Sequence, residues 1–129
     1  MEAPRIYPTF RFSDATAMHR WFIETLGFTE VFRTPETGPI DHAELAFGSS
    51  ILMFGQARDD AFGVKAPPPG GSVTYIAVDD PDALHARVRD SGTEIVEPPT
   101  DRAYPSREFI ARDPDGNLWC FGTWYPKAG

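Results

Sequence analysis

The chain has 129 residues but only one cysteine, Cys120, and three histidines. A single cysteine excludes an intrachain disulfide and any cysteine-rich zinc site. Cations are also scarce: 12 Lys and Arg stand against 19 Asp and Glu, leaving a formal charge of −7 at pH 7. A phosphate-binding surface needs clustered Lys and Arg, so nucleic acid is not an expected partner. No glycine-rich phosphate loop is present, and no Ser–His–Asp or Cys–His set falls on one layer of the expected fold. No run approaches membrane-spanning length, and the opening Met1-Glu2-Ala3-Pro4-Arg5 has no apolar h-region. A cytoplasmic protein with no membrane partner is therefore expected, and its acidity is compatible with a cationic small-molecule ligand.

What is present is a repeat. Ser13-Asp14-Ala15-Thr16-Ala17-Met18-His19-Arg20 is echoed by Asp79-Asp80-Pro81-Asp82-Ala83-Leu84-His85-Ala86, with Asp14 and Asp80, and His19 and His85, at a shared offset of 66 residues. Gly27-Phe28-Thr29-Glu30-Val31 returns as Gly92-Thr93-Glu94-Ile95-Val96, and Ile51-Leu52-Met53-Phe54-Gly55 as Leu118-Trp119-Cys120-Phe121-Gly122. Each half, at roughly 60 residues, would bury too little surface to be comfortable alone. A single domain over residues 1–129 is expected, built of a first module at 5–56, a linker at 57–71 and a second module at 72–124. Two copies make an intramolecular pair, not a solenoid.

Patterning gives each module the order strand, helix, strand, strand, strand. Arg5 to Phe12 reads as extended, with Ile6, Pro8, Phe10 and Phe12 on one face and Tyr7, Thr9 and Arg11 on the other. Asp14 is the expected N-cap of a helix running to Leu26, with the apolar stripe Ala15, Met18, Phe22 and Leu26 and a stop at Gly27. Strands are expected over Phe28–Arg33, His42–Phe47 and Ile51–Phe54, the last two joined through Gly48-Ser49-Ser50. After the proline-rich linker the pattern restarts. Val73–Val78 is a strand, Asp80-Pro81 caps and opens a helix to Ser91, and Gly92 ends it. Strands follow near Glu94–Val96, Arg107–Arg112 and Leu118–Thr123, the last two joined by Asp113-Pro114-Asp115-Gly116-Asn117, a turn that alone carries no chemistry. The fold class is α+β, two tandem βαβββ modules.

This doubled βαβββ unit resembles the vicinal oxygen chelate superfamily, which includes glyoxalase I, extradiol dioxygenases, fosfomycin-resistance and bleomycin-resistance proteins. The resemblance is carried by Phe12-Ser13-Asp14 leading to Leu26-Gly27-Phe28, by Ala43-Glu44-Leu45-Ala46-Phe47-Gly48, by Ile76-Ala77-Val78-Asp79-Asp80 and by Ala111-Arg112-Asp113-Pro114-Asp115-Gly116-Asn117. It covers about Ile6 to Trp124 and implies curled half-barrel sheets with helices outside, a cavity, and a homodimer. Function is separate, because this superfamily hosts several chemistries and pure binding.

Metal-dependent members place His and Glu ligands on inward-facing strand positions. By spacing, those positions fall here on Tyr7, Glu44, Val73 and Cys120, so only Glu44 keeps a family ligand. No metal site and no cofactor are therefore expected. The alternative is a displaced divalent-metal site: His42 and Glu44, two apart on a strand, face the same way, and Cys120 could join them in a zinc-like set. Cys120 among Leu118, Trp119 and Phe121 reads more simply as a small buried apolar residue. His19 and His85 read as helix-face residues away from the cavity, and Trp119 and Phe121 as core.

The half-barrel register puts Tyr7, Thr9 and Arg11, then His42, Glu44 and Ala46, on the cavity side. Val73, Tyr75, Ala77, Leu118 and Cys120 face it from the second module, with Tyr104, Ser106 and Arg107 on a rimming loop. The expected ligand-binding set is Tyr7, Thr9, Arg11, His42, Glu44, Tyr75, Leu118 and Cys120, suited to a flat, aromatic or cationic organic molecule. A buried Glu44 needs a partner: Arg11, His42 or a ligand. The expected function is metal-free small-molecule binding of the bleomycin-resistance kind. Two enzyme alternatives stand beside it: a metal-dependent lyase, isomerase or dioxygenase at His42 and Glu44, or a metal-free enzyme with Glu44 as base and Tyr7 as acid.

Overall fold

The structure, a computed structural model, describes residues 3–127. Met1 and Glu2, part of the opening read above for a leader, lie outside the described residues. The elements are β1 (Thr9–Phe12), α1 (Ala15–Arg20) continuing as a π-helical segment (Trp21–Leu26), β2 (Thr29–Thr34), β3 (His42–Phe47) and β4 (Ser50–Gln56), then β5 (Val73–Ala77), α2 (Pro81–Asp90), β6 (Glu94–Asp101), β7 (Arg107–Arg112) and β8 (Leu118–Gly122). They form two open, mixed, four-stranded sheets in the orders β1-β4-β3-β2 and β5-β8-β7-β6. In each, the first strand runs parallel to the fourth and all other pairs are antiparallel. This is the doubled βαβββ architecture that the repeat implies. The chain divides into two compact units, one ending at Gly70 and the other beginning at Gly71.

The two helices start by the same device. The Asp14 carboxylate accepts from the Ala17 N–H at 3.0 Å and that of Asp80 from the Ala83 N–H at 3.1 Å, each satisfying an otherwise orphaned donor. Both helices then meet a glycine at positive φ, Gly27 at 84° and Gly92 at 88°, a conformation that a Cβ disfavours.

In the first unit the helical stripe Ala15, Met18, Phe22 and Leu26 is buried with Phe12, Leu45 and Phe54 of the sheet. The Phe22 ring lies 6.0, 5.0 and 5.6 Å from those of Phe12, Phe28 and Phe54. Burying one such ring contributes about 1.5–3 kcal/mol, which makes this aromatic knot the main anchor of the helix. The second unit is built around Phe109 and Phe121, stacked at 4.7 Å, with Trp119, Ala111 and Val88 also buried. Trp119 and Phe121 are core, as alternation indicates. His19 bonds Glu30 at 2.7 Å and His85 sits edge-on to Phe109 at 5.4 Å, so both helix histidines have structural partners.

Three local readings are corrected. The first strand starts to pair only at Thr9, not Arg5: Pro8 has no N–H to give, its carbonyl accepts from Met53 at 2.9 Å, and Ile6 ahead of it is 89% exposed. The first helix widens into a π segment from Trp21, where the neighbours Trp21 and Phe22 are both buried. The strand foreseen at Glu94–Val96 extends to Asp101 through Pro98 and Pro99, and its pairing with β7 is irregular there. Prolines are tolerated because β6 is an edge strand.

Candidate functional site

In the first unit the predicted residues are tied to one another or to nearby backbone. The Tyr7 phenol, ahead of β1, donates to the Pro4 carbonyl at 2.5 Å, and Thr9 opens β1 exposed. His42 Nε2 lies 2.9 Å from Glu44 Oε2, so of the three partners weighed for Glu44 the structure supplies His42. Their side chains are 39% and 33% exposed, a part-exposed dyad and not a buried acid–base centre. Arg11 takes a different partner. Its guanidinium makes a two-pronged pair with Asp60, both bonds 3.0 Å, and lies 4.7 Å over the Phe62 ring.

That pair changes the reading of residues 57–71 as a plain linker. Asp60 also accepts from the Gly63 N–H at 2.7 Å and pairs with Arg58 at 3.1 Å, folding the segment back onto β1. Bonding to Arg11, then to the Gly63 N–H, holds the Asp60 carboxyl well below the usual carboxylate range. A depressed carboxylate lends its stability above its ordinary pKa and loses it only as the pH falls through the lowered value, so the clamp persists down to strong acid. Arg11→Ala is expected to raise hydrogen exchange and proteolysis within 57–66 while shifting the melting temperature little, since Asp60 is 38% exposed. Unchanged protection of that segment would show that the ion pair does not hold it.

The second unit holds a different arrangement. An open hollow of about 520 Å³ is lined by Tyr75 of β5, Tyr104 of the β6–β7 loop, Glu108 of β7, and Trp124 and Pro126 beyond β8. Glu108 is only 3% exposed. Its Oε1 accepts from Arg102 Nε at 3.0 Å, from the Tyr104 phenol at 2.8 Å and from the Cys120 thiol at 3.6 Å, and the same phenol lies 2.9 Å from Oε2. Burial pushes the Glu108 carboxyl up, but bonds from Arg102, Tyr104, Ser106 and Cys120 outweigh it and hold the group below its usual value, so it is ionised at neutral pH. Arg102 also bonds Glu97, and the two carboxylates together keep the guanidinium firmly charged.

The aromatic walls are fixed from behind. The Tyr75 phenol donates to the Trp124 carbonyl at 2.6 Å, and the Trp124 N–H donates to Ser106 Oγ at 3.2 Å. Burial, with Glu108 adding to it, raises the Tyr75 phenol pKa; bonding to Glu108, then burial, does the same for Tyr104, so both stay protonated donors. The Cys120 thiol is pushed up to about 11 by burial and by Glu108. It is a neutral thiol, as its apolar neighbours indicate, although its partner is a carboxylate and not another apolar side chain.

Of the predicted set, then, Tyr75 lines this hollow and Cys120 touches its carboxylate. Leu118 is half-buried at the start of β8, paired with Val73 and Arg112. Ser106 and Tyr104, placed on a rimming loop, belong to the site; Arg107 instead pairs with Asp82 and Asp101. Sequence reasoning missed Glu108, Arg102 and Trp124. The signal for Glu108 was the repeat itself: it lies 66 positions after His42, and Phe109 and Ala111 turned to the helix put Glu108 and Ile110 on the opposite face.

The family positions for a metal fit poorly. They offer an engaged phenol at Tyr7, a carboxylate bonded to His42, the hydrocarbon of Val73, 73% exposed, and a thiol that stays protonated at Cys120. Among the described residues no three His, Cys, Asp or Glu side chains gather in a metal-holding group. Nor is any helix among them long and apolar enough to cross a membrane.

Two tandem βαβββ units, each an open mixed sheet with a helix on one face, define a class of small α+β proteins. The chain belongs to the Glyoxalase/Bleomycin resistance protein/Dioxygenase superfamily, whose family model matches residues 7–121. It is similar to the crystal structure of TioX from Micromonospora sp. ML1, with 25% identity and a TM-score of 0.75 over 93% of this chain and 98% of that one. A superfamily member from Sphaerobacter thermophilus DSM 20745 matches at 20% identity and TM-score 0.75, over 92% of this chain and 96% of that one. A glyoxalase/bleomycin resistance protein from Streptomyces sp. CB03234 matches at 22% and 0.68, over 90% and 98%. The last two likenesses are of fold alone. No curated protein matches the sequence.

Proposed function

We propose that this protein binds a small, flat organic molecule without the help of a metal, in the manner implied by its likeness to bleomycin-resistance members. The observation that carries the reading is the second-unit hollow: two tyrosines and a tryptophan standing around one buried carboxylate. Aromatic walls with a few fixed polar groups are what a ligand pocket needs. Tyr104 and Trp124 are 50% and 45% exposed, apolar surface that a ligand would cover. Catalysis is less well served. Glu108 is bonded by Arg102, Tyr104 and Cys120 and held below its usual pKa, which makes it a poor general base, and Glu44 and Tyr7 have separate partners.

Native mass spectrometry of untagged protein purified without chelator, with elemental analysis of the same sample, tests the proposal. The expected result is a protein free of stoichiometric metal, carrying a co-purified organic adduct or taking one up unchanged. Stoichiometric zinc, iron, manganese or nickel would overturn it. The homodimer implied by the resemblance is part of the same proposal and is read from the same spectrum.

A further inference from the structure

Glu108 is nearly enclosed, yet the group that closes it off from the hollow is a side chain half in solvent. Tyr104 is 50% exposed, and only its hydroxyl reaches the carboxylate, 2.8 Å from one oxygen and 2.9 Å from the other. A phenol has a single proton, so two acceptors share one donor there. The charges do not balance either: Glu97 and Glu108 both bond the one guanidinium of Arg102, and the Cys120 thiol beside them is neutral. The two carboxylates and the guanidinium together carry one net negative charge, with Glu97 36% exposed to water and Glu108 buried against the hollow.

Resting on the reading of this hollow as a ligand site, we propose that the Tyr104 hydroxyl is an internal stand-in for the ligand's own donor. The natural ligand is then a flat aromatic molecule bearing a protonated amine, which replaces the phenol on Glu108. An ammonium brings three donors and a formal positive charge, so it would form an ion pair with the carboxylate, where the phenol supplies only one neutral donor to an anion. Moving Tyr104 aside costs little because its ring already faces water on one side, and the displaced hydroxyl regains hydration. Tyr75 and Trp124 offer faces for the aromatic body, and their electron-rich rings favour a nearby cation. Tyr104 is accordingly a specificity-determining residue: it excludes neutral molecules with weaker donors and yields to an ammonium.

The test is calorimetric titration of the full chain at pH 7 with two probes of one shape, 1-naphthylmethylamine, protonated at that pH, and neutral 1-naphthylmethanol. The expected result is an amine affinity about tenfold or more above that of the alcohol. Glu108→Gln should reduce that ratio to near one, with the larger loss falling on the amine. Tyr104→Phe, which keeps the carboxylate and removes the competing hydroxyl, should tighten the amine several-fold; it serves also if the Gln variant fails to fold. Equal affinity for the two probes, or an amine weakened by Tyr104→Phe, overturns the proposal while leaving the hollow a binding site. Binding of neither probe overturns both readings.

Discussion

Asp113→Ala is expected to cost about 4 kcal/mol of stability, a large share of the roughly 5–15 kcal/mol that holds a domain of this size together. Asp113 is 4% exposed and its carboxylate gathers the whole β7–β8 turn. Oδ1 accepts from the Asp115 N–H at 2.7 Å and the Asn117 N–H at 3.0 Å; Oδ2 accepts from Asn117 Nδ2 at 3.0 Å and Trp119 Nε1 at 2.7 Å. Alanine would leave the indole N–H of a fully buried Trp119 and the amide of Asn117, 2% exposed, without their acceptor. Each stranded donor costs about 1–3 kcal/mol, more than the net worth of the bond when made. Asp113→Asn, which retains one acceptor oxygen, should lose roughly half as much. Urea unfolding followed by tryptophan fluorescence measures both, and a loss under about 1 kcal/mol for the alanine variant would show that the network is dispensable.

The same residues show where sequence legibility ends. Asp113-Pro114-Asp115-Gly116-Asn117 announces a turn from local preferences alone, and β7 and β8 fall where that turn and the alternation of Phe109, Ala111, Trp119 and Phe121 put them. Helix boundaries were legible for the same reason: Asp14 with Gly27, and Asp80 with Gly92, are local chemical signals repeated at both ends. What the turn does with its first aspartate was not legible, because nothing in the spacing shows that Trp119 would aim its N–H there. The reading of the turn as carrying no chemistry understates its structural part.

The site was legible only on one side of each pair. Tyr75 and Cys120 follow from strand alternation and Tyr104 from its place on the rimming loop, whereas Arg102 comes from an irregular stretch whose conformation depends on Glu108 itself. The Arg11–Asp60 clamp failed to be foreseen for a similar reason: its partners are 49 residues apart, and Asp60 lies in a segment with no periodicity. Long side chains that cross between elements are set by tertiary fit, and a search restricted to family ligand positions passes over them. Glu108 is the instructive case, since the repeat placed it in register with His42.

Gly122→Ala is expected to abolish most ligand affinity, by more than tenfold for 1-naphthylmethylamine, at a stability cost of about 1–3 kcal/mol. Gly122 ends β8 directly beneath the hollow. A Cβ there would stand 2.6 Å from Glu108 Cγ, 2.8 Å from the Tyr75 hydroxyl and 3.0 Å from Ser106 Oγ. These atoms cannot simply step aside, because Glu108 is held by Arg102 and Cys120, while Tyr75 and Ser106 hold the Trp124 backbone. One added methyl therefore forces a choice between the carboxylate and the aromatic wall, and either movement spoils the pocket. Gly92→Ala supplies the control. Its Cβ would meet nothing within 4 Å, and its positive φ of 88° makes the substitution cost about 1 kcal/mol through the backbone alone. Calorimetry and urea unfolding on both variants separate the effects: Gly92→Ala should lose stability and keep affinity, whereas Gly122→Ala should lose both. Unaltered affinity in Gly122→Ala would mean that the ligand does not rest on Glu108 and Tyr75, and the binding site would have to be sought on another face of the protein.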